Sequence, residues 1–363
     1  MCFLNDKLRI LPALIVLYWS VSHCSAEFVI FDNGQGAVSS SSTTLRGTSG
    51  LTHLGGNQYA TIDDIDGTTG LPRFHQLQID VNSSNGQITA TSILSSTNIA
   101  TGNQYEGIAW DGASGKYYVS SEADHSVRIL DSSGAQVGSI AVPTIYQNAQ
   151  PNKSLESLAY NGNTQQLYTA NEERLTVDNN VNAVRLQEFT AGAGSGQYAY
   201  ELENTRNTSN GFNGLSDIAV LPNGNLIAME RDLDLDSFNI AIRLYEIDLN
   251  SASDISAEGT LNGAMYTAVT KRSLLDPLMY PDGYFTTISN YEGLAVGPQL
   301  NDGSWTLLLG PSDDADNGFL IPETYLSFQL QDVSAVPEPG SCGLLFLVAT
   351  SYGYHYRRKR RVV

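Results

Sequence analysis

Cysteine, histidine and basic residues are scarce in this chain, and each scarcity removes a class of chemistry. Its 363 residues contain three cysteines, Cys2, Cys24 and Cys342, all near the termini. Residues 27–335 therefore hold no thiol, which excludes a disulfide framework, a thiol nucleophile and a cysteine metal site there; a domain of that size can be held by its core alone. Long segments of helical period are also missing. So are a Gly-x-Ser-x-Gly elbow, a Walker loop and a His-Glu-x-x-His pair. Setting aside seven basic and two acidic residues close to the termini, the same span carries 12 basic against 36 acidic side chains, a formal charge of −24. That balance disfavours nucleic acid and anionic membrane, and favours solubility and cation binding.

What is abundant is a repeated sentence. Glu106-Gly107-Ile108-Ala109-Trp110 leads through Asp111-Gly112 to Tyr117-Tyr118-Val119-Ser120-Ser121-Glu122. Glu156-Ser157-Leu158-Ala159-Tyr160 leads to Leu167 through Glu172, Ser216-Asp217-Ile218-Ala219-Val220 to Leu226 through Asp232, and Glu292-Gly293-Leu294-Ala295-Val296 to Leu307 through Asp314. A weaker first copy runs from Ser49 to Asp64. Each copy joins two β-rich runs by a turn, and copies begin at 49, 106, 156, 216 and 292. Several strands per period of roughly 40–50 residues, with loop insertions, define an all-β propeller of five recognisable blades. Third strands follow at 127–131, 184–189 and 242–248, where apolar and polar residues alternate. The last copy has no fourth strand before Pro337, and Phe28-Val29-Ile30-Phe31 is placed to supply it. The insertion between Asp248 and Tyr291 is long enough to leave a sixth blade as the alternative.

Both termini carry sorting features. Lys7 and Arg9 precede the apolar run Ile10–Trp19, and Cys24-Ser25-Ala26 offers small residues before a cut, so 1–26 reads as a signal peptide with a helical apolar core. A membrane anchor and lipidation at Cys24 are the alternatives. Val336-Pro337-Glu338-Pro339 is followed by an apolar run to Tyr356 and then by Arg357-Arg358-Lys359-Arg360-Arg361. This order resembles the PEP-CTERM sorting signal, and 336–363 is expected to form such a signal with a short transmembrane helix. The resemblance implies a Gram-negative-type bacterium, an exosortase-type processing enzyme as partner, a link to exopolysaccharide, and residence in the cell envelope, outer surface or matrix. Membrane contact is then confined to the C-terminal segment.

A second resemblance covers residues 45–330. The order Glu-Gly-Leu-Ala, Leu-Tyr-x-Ala-x-Glu, Pro-Asn-Gly-Asn-Leu with Met229-Glu230-Arg231-Asp232, and finally Tyr291-Glu292-Gly293-Leu294-Ala295 with Ser312-Asp313-Asp314 is similar to the phytase-like, or esterase-like-activity-of-phytase, family. It implies a propeller at 27–335 that hydrolyses esters or phosphoesters with calcium, and it supplies no catalytic set.

The repeat itself predicts where a site would lie. First strands begin, and second strands end, at the same face of a propeller. Glu106, Glu156 and Glu292 begin such strands, and Glu122, Glu172, Glu230 and Asp313 end them, predicting a carboxylate ring at one mouth of the channel. Asp232 and Asp314 extend two acidic loops. Hard oxygens in such a ring suit Ca²⁺, which takes six to eight of them. Arg231 and Arg174 follow acidic positions as charge compensators, and with Glu292 form the catalytic candidates. The competing reading is that these glutamates cap strand ends without a metal, leaving a propeller that binds cations, glycans or matrix. His53 and His125 fall near predicted strand ends at the mouth. A serine triad is not excluded, because its members need not be adjacent in sequence.

Overall fold

Short runs rich in tyrosine, valine, leucine and isoleucine, separated by turn residues, can satisfy their main-chain groups only in ladders, and the turns keep those ladders antiparallel. The computed structural model describes residues 28–31, 38–39, 45, 47–64, 70–100, 102, 104–205, 210–237, 239–275, 277–287, 289–312 and 324–333. It contains β1 (Phe28–Phe31) and β2 (Val38–Ser39), then a first blade of β3 (Thr48–Gly55), β4 (Gln58–Asp63), β5 (Arg73–Val81) and β6 (Ile88–Asn98). The second blade is β7 (Tyr105–Asp111), β8 (Lys116–Ser121), β9 (Ser126–Leu130) and β10 (Gln136–Ile140). The third is β11 (Leu155–Asn161), β12 (Gln166–Asn171), β13 (Ala183–Thr190) and β14 (Ala193–Glu201). The fourth is β15 (Gly211–Val220), β16 (Leu226–Asp234), β17 (Asn239–Asp248) and β18 (Thr270–Ser273), with β19 (Phe285–Thr287) also paired to β17. The fifth is β20 (Asn290–Gln299), β21 (Trp305–Ser312) and β22 (Thr324–Asp332).

The expected closure is present. β1 pairs antiparallel with β22, Phe28 opposite Asp332 and Ile30 opposite Leu330, and becomes the outer strand of the last blade. The Ile30 amide also reaches the Leu274 carbonyl of the fourth blade, at 2.8 Å. The insertion after Asp248 builds no sixth blade. It gives the fourth blade its outer strand and lies along β14, with Ile255 N on Gln197 O at 2.8 Å and Val269 N on Ala199 O at 2.9 Å. The propeller has five blades.

Burial follows the same logic. An inner strand such as β7 is buried almost throughout, whereas the outer strand β6 alternates between exposed and half-buried residues. The core lies between neighbouring blades: Phe74, Ile62, Tyr117 and Val119 pack the first against the second, and Tyr200, Leu186, Ile218 and Leu226 the third against the fourth. The signal peptide, the Pro-Glu-Pro segment and their expected helices fall outside the described residues. Among the described residues no helix is long and apolar enough to cross a membrane.

Candidate functional site: an acidic channel mouth

Each inner strand carries a break in register at its start. The skipped residue is Gly50 in the first blade, Glu156 in the third, Ser216 in the fourth and Glu292 in the fifth, while Glu106-Gly107 spans the break in the second. A bulge frees one residue from the ladder and re-aims its side chain. Here it turns the glutamates into the channel mouth. Close approach of the inner strands requires the small residue beside them: a Cβ on Gly107 would lie 2.7 Å from Leu158 N, and one on Gly293 2.7 Å from Leu51 Cβ.

Glu106, Glu122 and Glu156 meet there, each offering an oxygen within 4.8 Å of the others. They are 3%, 5% and 4% exposed. Glu122 accepts a 2.5 Å hydrogen bond from the Ser154 amide, whereas Glu106 and Glu156 accept none from a described residue. Burial, reinforced by Glu156, Asp64, Glu122 and Glu292, pushes the Glu106 carboxyl well above the usual range. Burial with Glu172, Glu122 and Glu292 does the same to Glu156, against the pull of Arg231. Glu122 is raised to about 7, mainly by burial and against the pull of the Ser154 amide.

The other half of the mouth is neutralised. Arg231 donates through Nη2 to Glu172 Oε1 at 2.7 Å, and through Nη1 to Glu292 and to Asn290 Oδ1, the latter at 2.6 Å. Lys153 Nζ holds Glu172 Oε2 at 2.7 Å. Below both halves sits Asp217, whose carboxylate accepts from Ile218 N at 2.8 Å and Leu294 N at 2.7 Å, with the Leu51 and Leu158 amides adding to its stabilisation. Amides of four blades thus converge on one buried carboxylate. Burial raises its pKa and the amides oppose that rise.

Of the predicted ligands, five gather at the mouth: Glu106, Glu122, Glu156, Glu172 and Glu292. Glu230 points elsewhere. It accepts from Tyr200 Oη at 2.7 Å, Asn213 Nδ2 at 2.9 Å and Lys271 Nζ at 2.9 Å. Ala159 pairs with Tyr168 and Ala219 with Ile227, so the fourth-blade counterpart of Glu172 is Arg231, one residue beyond Glu230. Asp232 pairs with Arg243 at 3.3 Å, Arg174 is exposed, and Asp313 and Asp314 fall outside the described residues. His53 lies toward the opposite end of the channel, its Nε2 2.8 Å from Gly56 O and its ring lining a cavity of about 120 Å³. His125 lies on the mouth side, with Nδ1 2.6 Å from Ser154 Oγ. Asp64, Lys153, Asn290 and Asp217 were not among the predicted site residues. Counting four residues on from the register of Ala60, as from Tyr118 and Tyr168, would have found Asp64.

Fold and site together define a five-bladed propeller with an acidic channel mouth. The chain belongs to the phytase-like family described as "Esterase-like activity of phytase", whose profile it matches over residues 43–315. No curated protein matches the sequence. Among solved structures it is similar to Kuenenia stuttgartiensis hydrazine synthase, at 14% identity and TM-score 0.35, over 81% of this chain and 65% of that one. The Malassezia sympodialis allergen Mala s 1 gives 10% identity, 79% and 78% coverage, and TM-score 0.36. A DUF4221 protein of Bacteroides vulgatus gives 8%, 85% and 100%, and 0.40.

Proposed function

We propose that the mouth binds a divalent cation, calcium by its all-oxygen donor set, and that the protein is an exported ester or phosphoester hydrolase. The observation that carries the reading is the convergence of Glu106, Glu122 and Glu156 with no ion pair to a described residue, two of the three lacking any described hydrogen-bond donor. Buried carboxylates in that state are costly unless protonated or bound to a cation. Oxygen-only coordination fits Ca²⁺. When bound, such an ion would neutralise the acid cluster and polarise a phosphoryl or acyl oxygen.

The chain's own residues then divide the work. Glu106, Glu122 and Glu156 hold the cation, the Ser154 amide fixes the Glu122 carboxylate, and Arg231 fixes Glu172 and Glu292. A phosphate-rich substrate could approach so acidic a domain only through bridging cations. One observation favours the second reading, a cation-, glycan- or matrix-binding propeller without catalysis: Arg231 already commits three of its four Nη hydrogens to Glu172, Glu292 and Asn290, which leaves a single Nη2 hydrogen for substrate. We further propose export through the N-terminal signal and exosortase-type processing at Pro337-Glu338-Pro339, which would deliver the domain to the cell surface or matrix.

The test is hydrolysis of a phosphomonoester, of phytate and of a short-chain carboxyl ester by the purified protein, each with calcium and with chelator. Calcium-dependent turnover that disappears in Glu156→Gln supports the hydrolase. Calcium binding with no calcium-dependent turnover of any of the three supports the binder.

A further inference from the structure

The first blade holds a second constellation, apart from the mouth. His75 pairs across β5 and β6 with Ser96, and its Nδ1 lies 2.7 Å from Ser96 Oγ. Its Nε2 lies 2.7 Å from Asp63 Oδ1. The second oxygen of Asp63 accepts from Arg73 Nε at 2.8 Å. His75 and Asp63 are fully buried, while Ser96 is exposed on the outer strand of its sheet. From these partners the tautomer is assigned: Nε2–H donates to the Asp63 carboxylate and Nδ1 accepts the Ser96 hydroxyl proton. A nucleophile held by a base, itself oriented by a third group, is the geometric signature of an activated serine.

The fold does not require this set. The same three positions carry Ser121, Arg128 and Ser139 in the second blade, and Asn171, Gln187 and Gln197 in the third. There a 3.0 Å bond between Gln197 Nε2 and Gln187 Oε1 ties the strands with no acid or base. The fourth carries Glu230, Tyr245 and Ser273, with a phenol where a base would stand, so among the described residues only the first blade places a hydroxyl, an imidazole and a carboxylate in sequence. Ser96 lies two residues from the end of β6, so the hydroxyl opens beside the acidic face. An outer strand also presents alternate main-chain amides away from its sheet, the kind of donor a developing oxyanion needs.

We propose that Ser96, His75 and Asp63 form a metal-independent catalytic triad acting on carboxylic esters. Ser96 Oγ attacks the acyl carbon as its proton passes to His75 Nδ1. The ester C–O bond breaks, and His75 returns that proton to the leaving alkoxide, which departs as the alcohol. Water then attacks the acyl-serine and gives a proton to His75; the acyl–Oγ bond breaks as His75 passes that proton to Ser96 Oγ, releasing the carboxylic acid and restoring the Ser96 hydroxyl and the neutral imidazole. Asp63 and Arg73 keep the imidazole oriented throughout.

The experiment treats the full chain with a fluorophosphonate ester and maps the adduct by peptide mass spectrometry. In parallel, hydrolysis of 4-nitrophenyl acetate is followed in excess chelator, which silences the mouth and leaves the triad. Expected are an adduct on Ser96 and chelator-resistant hydrolysis that falls at least about a hundredfold in Ser96→Ala and in His75→Gln, with Ser96→Ala retaining the wild-type unfolding temperature. A folded protein with no adduct on Ser96, or with equal chelator-resistant rates in wild type and Ser96→Ala, overturns the proposal and leaves a structural tie. Labelling needs no variant, so a destabilised His75→Gln leaves the result readable. Loss of calcium-dependent turnover alone would bear on the mouth and not on the triad.

Discussion

Two halves of one channel mouth are built from equivalent positions of the same repeat, and they bury their carboxylates in opposite ways. Between the third, fourth and fifth blades, Glu172 and Glu292 close on Arg231 with Lys153 and Asn290 beside them. Between the second and third, Glu106, Glu122 and Glu156 face one another with no ion pair to a described residue, Arg231 and Lys153 acting on Glu156 and Glu122 without direct contact. A repeat thus supplies acids indiscriminately, and one substitution in the ring, arginine for acid at position 231, separates a self-neutralised half from a half open to a ligand.

Removing the arginine should have the largest effect. Arg231→Leu strips Glu292 of its cation and leaves Glu172 to Lys153 alone, and is expected to cost about 3–5 kcal/mol of stability in denaturant unfolding; a loss below 1 kcal/mol would mean that the mouth tolerates unpaired charge. Adding Glu172→Gln and Glu292→Gln to that variant should restore much of it. The open half should respond to calcium instead. At a hundredfold excess over Kd the ion should stabilise the protein by about 2.7 kcal/mol, a shift lost in Glu106→Gln and Glu156→Gln and kept in Glu230→Gln. Equal shifts in wild type and Glu156→Gln would place the ion elsewhere.

Protonation gives a smaller contrast, with an unusual sign. Glu122 titrates near 7 when folded, against about 4.5 in an unfolded chain. The folded state therefore holds a proton that the unfolded state has released. Metal-free stability is fully present below about pH 4.5 and declines as pH rises through about 7, by roughly 1–3 kcal/mol. The raised Glu106 and Glu156 extend the decline upward. Glu122→Gln should flatten the curve, and a pH profile of unfolding with chelator present would show whether it does. The smallest effect is expected at Arg174, an exposed side chain, where Arg174→Ala should stay within about 0.5 kcal/mol and leave calcium binding unchanged.

Much of this architecture was legible in the sequence. Asp111-Gly112, Asn161-Gly162, Pro222-Asn223-Gly224 and Asn301-Asp302-Gly303 all sit in the turns expected of them, and Asp111 Oδ1 and Asn161 Oδ1 accept the amides two residues on, at 3.0 Å each. Such turns are closed by neighbouring atoms, so local sequence is enough. Phe28–Phe31 was readable as the closing strand because the last blade lacked one. Glu230 was misplaced by one residue, since Met229-Glu230-Arg231-Asp232 offers several charged residues in a row and a strand sends alternate side chains to opposite faces. Asp217 was passed over because nothing local distinguishes a carboxylate that will meet amides from four blades.

Composition and repetition alone determined an all-β ring, its five hairpins, its excess of acid and the absence of thiol chemistry, because these depend on residue type and spacing along the chain. Only the tertiary structure decided which acids meet, which of them Arg231 neutralises, and that Asp63, His75 and Ser96, 12 and 21 residues apart, line up across three strands. Contacts of that kind are set by register and by a bulge in each inner strand, where a shift of one residue turns a side chain from the channel into the sheet.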